Sequence, residues 1–100
     1  MTVVSVLALA VREDASEAFA RQFAEIGVFE RARESGGFVS GRLLRPFAED
    51  GRFLVIADWQ SVEHYQAWLD NPKRAELTSQ LEPMLLSEPT AGDLFREAPQ

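Results

Sequence analysis

The chain has no cysteine, one histidine, one tyrosine and two tryptophans in one hundred residues, and its acidic side chains outnumber its basic ones by 16 to 10. Without cysteine there is no disulfide, no thiolate metal ligand and no cysteine nucleophile. A single histidine, His64, cannot build a multi-histidine metal centre within one chain. The formal net charge of −6 opposes a nucleic-acid partner, because phosphate binding requires a concentrated basic face. Long apolar runs are also missing. The longest, Val6 to Val11, is too short to span a bilayer and has no basic leader or cleavage site around it. The expectation is a soluble, cytoplasmic protein that needs no metal or other cofactor and engages neither nucleic acid nor membrane.

What is present is an ordinary globular composition, 46% hydrophobic and 26% charged, so a packed core is expected rather than a disordered chain. The length fits one domain, residues 1–100. Such a chain buries only somewhat over ~60% of its unfolded surface, and a partner subunit would enlarge that core.

Along the chain, Thr2–Val11 is β-branched and leucine-rich and reads as a strand. Asp14 opens a helix with Glu17 in capping-box spacing, and Phe19, Phe23 and Ile26 make its apolar stripe. That helix is expected to run to about Ser35, where Gly36 and Gly37 end it. GFVSGRLLRPF is a second strand, Glu49-Asp50-Gly51 a hairpin connection, and RFLVIADW a third strand. Ser61 caps a helix carrying Val62, Tyr65, Trp68 and Leu69 on one side. Asn71-Pro72 ends it and starts another, with Leu77, Leu81, Met84 and Leu85 as the stripe, until Pro83 and Pro89 break the pattern. AGDLFREA is the last strand. The order is βαββαβ, an α+β ferredoxin-like fold with a four-stranded antiparallel sheet and its second helix broken in two.

In that fold the helices cover one face of the sheet. Yet both faces of the first strand are apolar: Ser5, Leu7, Leu9 and Val11 point one way, Val4, Val6, Ala8 and Ala10 the other. The third strand repeats this, with Phe53, Val55, Ala57 and Trp59 opposed to Leu54 and Ile56. The simplest cover for the second face is another copy of the sheet, which predicts a homodimer through sheet faces.

Both tryptophans fall in FLVIADWQSVEHYQAWLDNP, on either side of a strand-to-helix turn. The longer run ADWQSVEHYQAWLDNPKRAEL resembles the signature of the antibiotic biosynthesis monooxygenase family: a strand ending in Trp, a polar pair, a helical aromatic, a second Trp, then a break into another helix. Trp59, Ser61, Tyr65, Trp68 and Pro72 match those positions, and the element order covers essentially the whole chain. The resemblance implies a dimeric α+β barrel. It also implies a cofactor-independent monooxygenase that oxidises a quinol- or polyketide-like aromatic in a pocket between helices and sheet. A haem-degrading branch of the family needs a histidine at the place of Thr78 and an asparagine near Leu7. Neither is present, and Asn71 is the only asparagine in the chain.

Oxygenation without a cofactor requires an apolar site that holds an electron-rich ring and favours its anion. Leu7, Phe53, Trp59 and Trp68 are the expected walls, with Arg74 and Thr78, one helical turn apart, at the rim. Tyr65 is a candidate hydrogen-bond donor to a bound oxyanion, and His64 the candidate general base. Each has a plainer reading: Trp59, Trp68 and Tyr65 as core, His64 and Arg74 as solvated surface. The rival function from another class is a non-catalytic homodimer that binds a small molecule in the same cavity. An RNA-recognition module shares the element order, but the first strand has no aromatic to stack a base and the charge has the wrong sign.

Overall fold

The structure, a computed structural model, describes residues 2–89 and 91–99. Four antiparallel strands form one sheet in the order β2-β3-β1-β4, where β1 is Val3–Leu9, β2 Phe38–Leu44, β3 Phe53–Trp59 and β4 Asp93–Phe95. Between β1 and β2 run helices α1 (Ser16–Glu25) and α2 (Val28–Ser35). Between β3 and β4 run α3 (Val62–Leu69) and α4 (Pro72–Leu81). This is the ferredoxin-like α+β arrangement, with the second helix broken as its Asn-Pro pair requires.

Local chemistry accounts for the α3–α4 break. The Ser61 side chain accepts a hydrogen bond from the His64 backbone N–H, and the Asn71 side chain accepts one from the Lys73 N–H. Each cap satisfies one of the donors that a helix start leaves orphaned. Pro72 occupies the first turn of α4, where its missing N–H costs nothing.

The first helix departs from expectation. It is also broken, because Gly27 sits in the left-handed region at φ 69, ψ 49, which a side chain with a Cβ disfavours. The capping box does not form. Glu13–Ala15 is a short 3-10 turn, α1 has no side-chain cap, and the Glu17 carboxylate instead accepts from Arg45 at 2.7 Å. A long-range guanidinium thus replaces the local backbone donor. The first and last strands are also shorter than their apolar patterns, since Val11 contributes only an isolated bridge to Leu85 and β4 contains three residues.

The register places Ser5, Leu7 and Leu9 opposite Ala57, Val55 and Phe53, so these share one face. That face lies under the helices: Phe19 of α1 meets Phe53 edge to face at 4.9 Å, and Tyr65 of α3 lies 5.6 Å from Trp59. Trp59, Phe19 and Phe53 are the largest fully buried side chains. Burial of each contributes about 2–3 kcal/mol of transfer free energy. Val4, Val6, Leu54 and Ile56 lie on the other face, together with Leu44 and Phe95. No helix among the described residues is long and apolar enough to cross a membrane.

Candidate functional site

Two small cavities lie between the helices and the sheet. The first, about 80 Å³, is walled by Leu7, Leu9 and Val55 of the sheet, Phe23 and Val28 of the first helix pair, Trp68 of α3, and Arg74, Leu77, Thr78 and Leu81 of α4, with Leu85 and Pro89 at the edge. The second, about 50 Å³, lies beside it and reaches Ser5, Phe29, Phe38, Ala57, Trp59 and Tyr65. Leu7, Val28, Val55, Trp68 and Arg74 line both, so they form the partition between two halves of one apolar space.

The aromatic walls are held by packing and by satisfied polar edges. Phe38 meets Trp59 edge to face at 5.5 Å, and Phe29 stacks on Phe38 at 5.7 Å. The Trp59 indole N–H donates to the Ser5 hydroxyl at 3.0 Å, which fixes the ring without using the cavity. The Tyr65 hydroxyl oxygen accepts from the Gly92 backbone N–H at 2.8 Å. That bond occupies the oxygen as an acceptor and leaves the phenolic proton as the donor. Tyr65 and Trp68 are both buried.

The expected site residues separate into two groups. Leu7, Trp68, Arg74 and Thr78 line the first cavity, and Trp59 and Tyr65 line the second. Phe53 and His64 line neither. Phe53 is 1% exposed and packs against Phe19 in the neighbouring core, two strand positions from the cavity wall at Val55. The His64 Nδ1 is 2.7 Å from the Ser61 hydroxyl, and its ring packs against Gly37. The N-cap that starts α3 therefore also turns the imidazole away. Sequence reasoning missed Phe23, Val28 and Phe29 as walls. The available signal was Gly27 inside a helical pattern: a break there redirects the chain and aims Val28 and Phe29 at the sheet. Among the described residues no three His, Cys, Asp or Glu side chains are grouped to hold a metal ion.

A four-stranded sheet with helices on one face and an aromatic-walled cavity beneath them defines an α+β fold with an internal apolar cavity. The sequence profile of the family described as antibiotic biosynthesis monooxygenase matches residues 2–77, and the chain belongs to that family. It is 33% identical over 72 residues to the heme oxygenase (mycobilin-producing) of Mycobacterium tuberculosis, a match covering 72% of this chain and 67% of that one. The crystal structure of a heme-degrading protein from Mycobacterium tuberculosis is also 33% identical, with a TM-score of 0.61 over 72% of this chain and 81% of its own. SnoaB, a cofactor-independent oxygenase from Streptomyces nogalater, superposes with a TM-score of 0.76 at 24% identity, covering 99% of this chain and 95% of its own.

Proposed function

We propose that the chain is a cofactor-independent oxygenase of a small aromatic, a phenol or hydroquinone, bound in the joined cavity. The observation that carries this reading is the wall itself: Trp59, Tyr65 and Trp68 surround an apolar space whose hydrogen-bonding groups are few. Ring contacts of this kind contribute about 0.5–1.5 kcal/mol each beyond area burial. The guest supplies all four electrons that reduce the oxygen molecule. For a ring bearing an activated CH2, that carbon loses two hydrogens and gains one oxygen atom. The second oxygen atom leaves with those hydrogens as water.

The named activity of the mycobacterial relative raises haem as a guest, and the residues here do not fit it. Haem iron takes an axial His, Cys, Met or Tyr. The chain has no cysteine, His64 is held outside both cavities, and among the described residues no methionine lines them. Tyr65 lines the second cavity, but its oxygen is bonded to the Gly92 N–H. At the places where the haem-degrading resemblance requires His and Asn, Thr78 and Leu7 present a hydroxyl and an aliphatic chain. The space is also small, since an apolar cavity of ~150 Å³ holds benzene. A single ring fits with modest adjustment, and a larger one requires α3, α4 and the segment carrying Leu85 and Pro89 to part.

One observation favours a second reading, a non-catalytic binding protein: the described residues lining the two cavities include no imidazole and no carboxylate to act as base. Oxygen uptake with single-ring hydroquinones and small anthrone analogues separates the readings. Uptake above the buffer rate supports the oxygenase, binding without uptake supports the binder, and neither result leaves the cavity without function.

The same reading includes a homodimer through the helix-free sheet faces. Leu44 and Phe95 are 37% and 54% exposed on that face, beside Val4, Val6, Leu54 and Ile56. These apolar side chains share the face with Arg42, Asp58 and Asp93, and an exposed apolar patch of this kind marks a contact surface.

A further inference from the structure

We infer that Val28 sets the size of the guest: its side chain narrows the waist between the two cavities, so that one aromatic ring is admitted and two fused rings are not. This rests on the reading that the joined cavity takes an aromatic ring. The residues that line both halves are Leu7 and Val55, a cross-strand pair on the floor, with Trp68 of α3, Arg74 of α4 and Val28 of α2. Among these described residues Val28 is the one that comes from the first helix pair.

A second observation puts Val28 at the same place. The buried core falls into two packed groups, one around Trp59, Tyr65 and Trp68 and the other around Phe19, Phe53 and Leu81. Ile26, Val28 and Phe29 pack against both groups, but Ile26 lines neither cavity and Phe29 lines only the second. Val28 therefore stands where the groups meet and where the cavities meet. It has little freedom to swing aside. It opens α2 directly after the left-handed Gly27, which fixes where the helix starts, and a β-branched side chain in a helix keeps largely to one χ1 rotamer. The space beyond it is lined by small side chains: Ala32, one turn further along α2, and Ala57 of the sheet are buried in the wall of the second cavity. At about 80 and about 50 Å³, neither half reaches the ~150 Å³ that holds benzene. A single ring therefore lies across the waist against Val28, and a second fused ring needs the space that the Val28 methyls occupy.

The probes are phenol and 2-naphthol, which each carry one hydroxyl and differ by one fused ring, with binding read by calorimetry and folding by circular dichroism. Where space is not limiting, 2-naphthol binds more tightly, because it buries more apolar surface. The wild-type protein is expected to reverse that order. Val28→Ala is expected to raise 2-naphthol affinity by about tenfold or more while phenol affinity changes far less, since a methylene-sized group in an apolar pocket commands that range. Val28→Ile, which adds one methylene at the waist, is expected to lower phenol affinity by about tenfold. A wild-type preference for 2-naphthol overturns the inference whatever the variants do. So does a folded Val28→Ala with unchanged 2-naphthol affinity, or a folded Val28→Ile with unchanged phenol affinity. In each of these cases a ring still binds, and the cavity reading survives. If Val28→Ala fails to fold, the wild-type order and Val28→Ile decide the matter. No heat from either probe with wild type or Val28→Ala removes the cavity reading and this inference together.

Discussion

The Gly92 backbone N–H donates a 2.8 Å hydrogen bond to the Tyr65 hydroxyl, which ties the approach to strand β4 to the middle of helix α3. The two residues are 27 positions apart, and they meet because Gly92 lies directly on β1. A Cβ at Gly92 would stand 2.8 Å from the Val6 carbonyl oxygen and 3.2 Å from the Leu7 nitrogen. Those atoms are backbone and have little room to yield. Gly92→Ala is expected to lift β4 off β1 and lower stability by about 1–3 kcal/mol, as overpacking does. Tyr65→Phe removes only the bond and is expected to cost about 1 kcal/mol. Denaturant unfolding of both variants checks the order. A silent Gly92→Ala would mean that the strand shifts at no cost.

Trp59→Phe tests the wall. It keeps most of the apolar bulk beside Phe38 and Tyr65 but removes the indole N–H that Ser5 accepts. The fold is expected to persist. Affinity for a single-ring hydroquinone is expected to fall about fivefold, the equivalent of ~1 kcal/mol. Fluorescence titration, which Trp68 still permits, gives the number. Unchanged affinity would return Trp59 to plain packing.

Ile56→Lys tests the homodimer. Ile56 pairs with Val6 and Arg42 on the face opposite the helices, so a lysine there disturbs no helix contact. Light scattering is expected to find a dimer for the wild type and a folded monomer for the variant. A wild-type monomer at micromolar concentration would show that the helix-free face stays open.

The Glu17–Arg45 pair predicts an acid response. The hydrogen bond from Arg45, and secondarily its charge, hold the Glu17 carboxyl below its ordinary value. A depressed carboxylate contributes its stability above the ordinary carboxyl range and loses it as pH falls through the lowered value. Because both side chains are exposed, the contribution is small and screened by salt. Glu17→Gln is expected to flatten the acid limb of a stability–pH curve at low ionic strength and to change nothing near neutrality beyond that small contribution. A steeper acid limb in the variant would contradict the pairing.

Haem titration of the wild type is expected to give no stoichiometric complex, since Thr78 supplies no iron ligand and His64 faces Ser61. A Soret band abolished by substituting one residue would show that the chain rearranges to ligate iron.

The sequence alone determined the features that depend on neighbours a few positions apart. Alternation along Ser5, Leu7 and Leu9 and along Phe53, Val55 and Ala57 settled which side chains share a sheet face, because the strand repeat is two residues whatever the strand packs against. Ser61, Asn71 and Pro72 started their helices because a cap closes its bond within three residues. Tertiary structure decided the choices in which a distant group competes with a near one. Glu17 left its cap for Arg45, 28 positions away, because a guanidinium is a stronger partner than a backbone N–H. Val55 and Phe53 share a face, yet only Val55 meets the cavity, since Phe19 fills the space over Phe53. His64 and Tyr65 are adjacent in the chain, and a helix turns successive side chains about 100° apart. Which of the two would face the sheet depended on where α3 docked, and docking put Tyr65 against Trp59 and left His64 over Gly37.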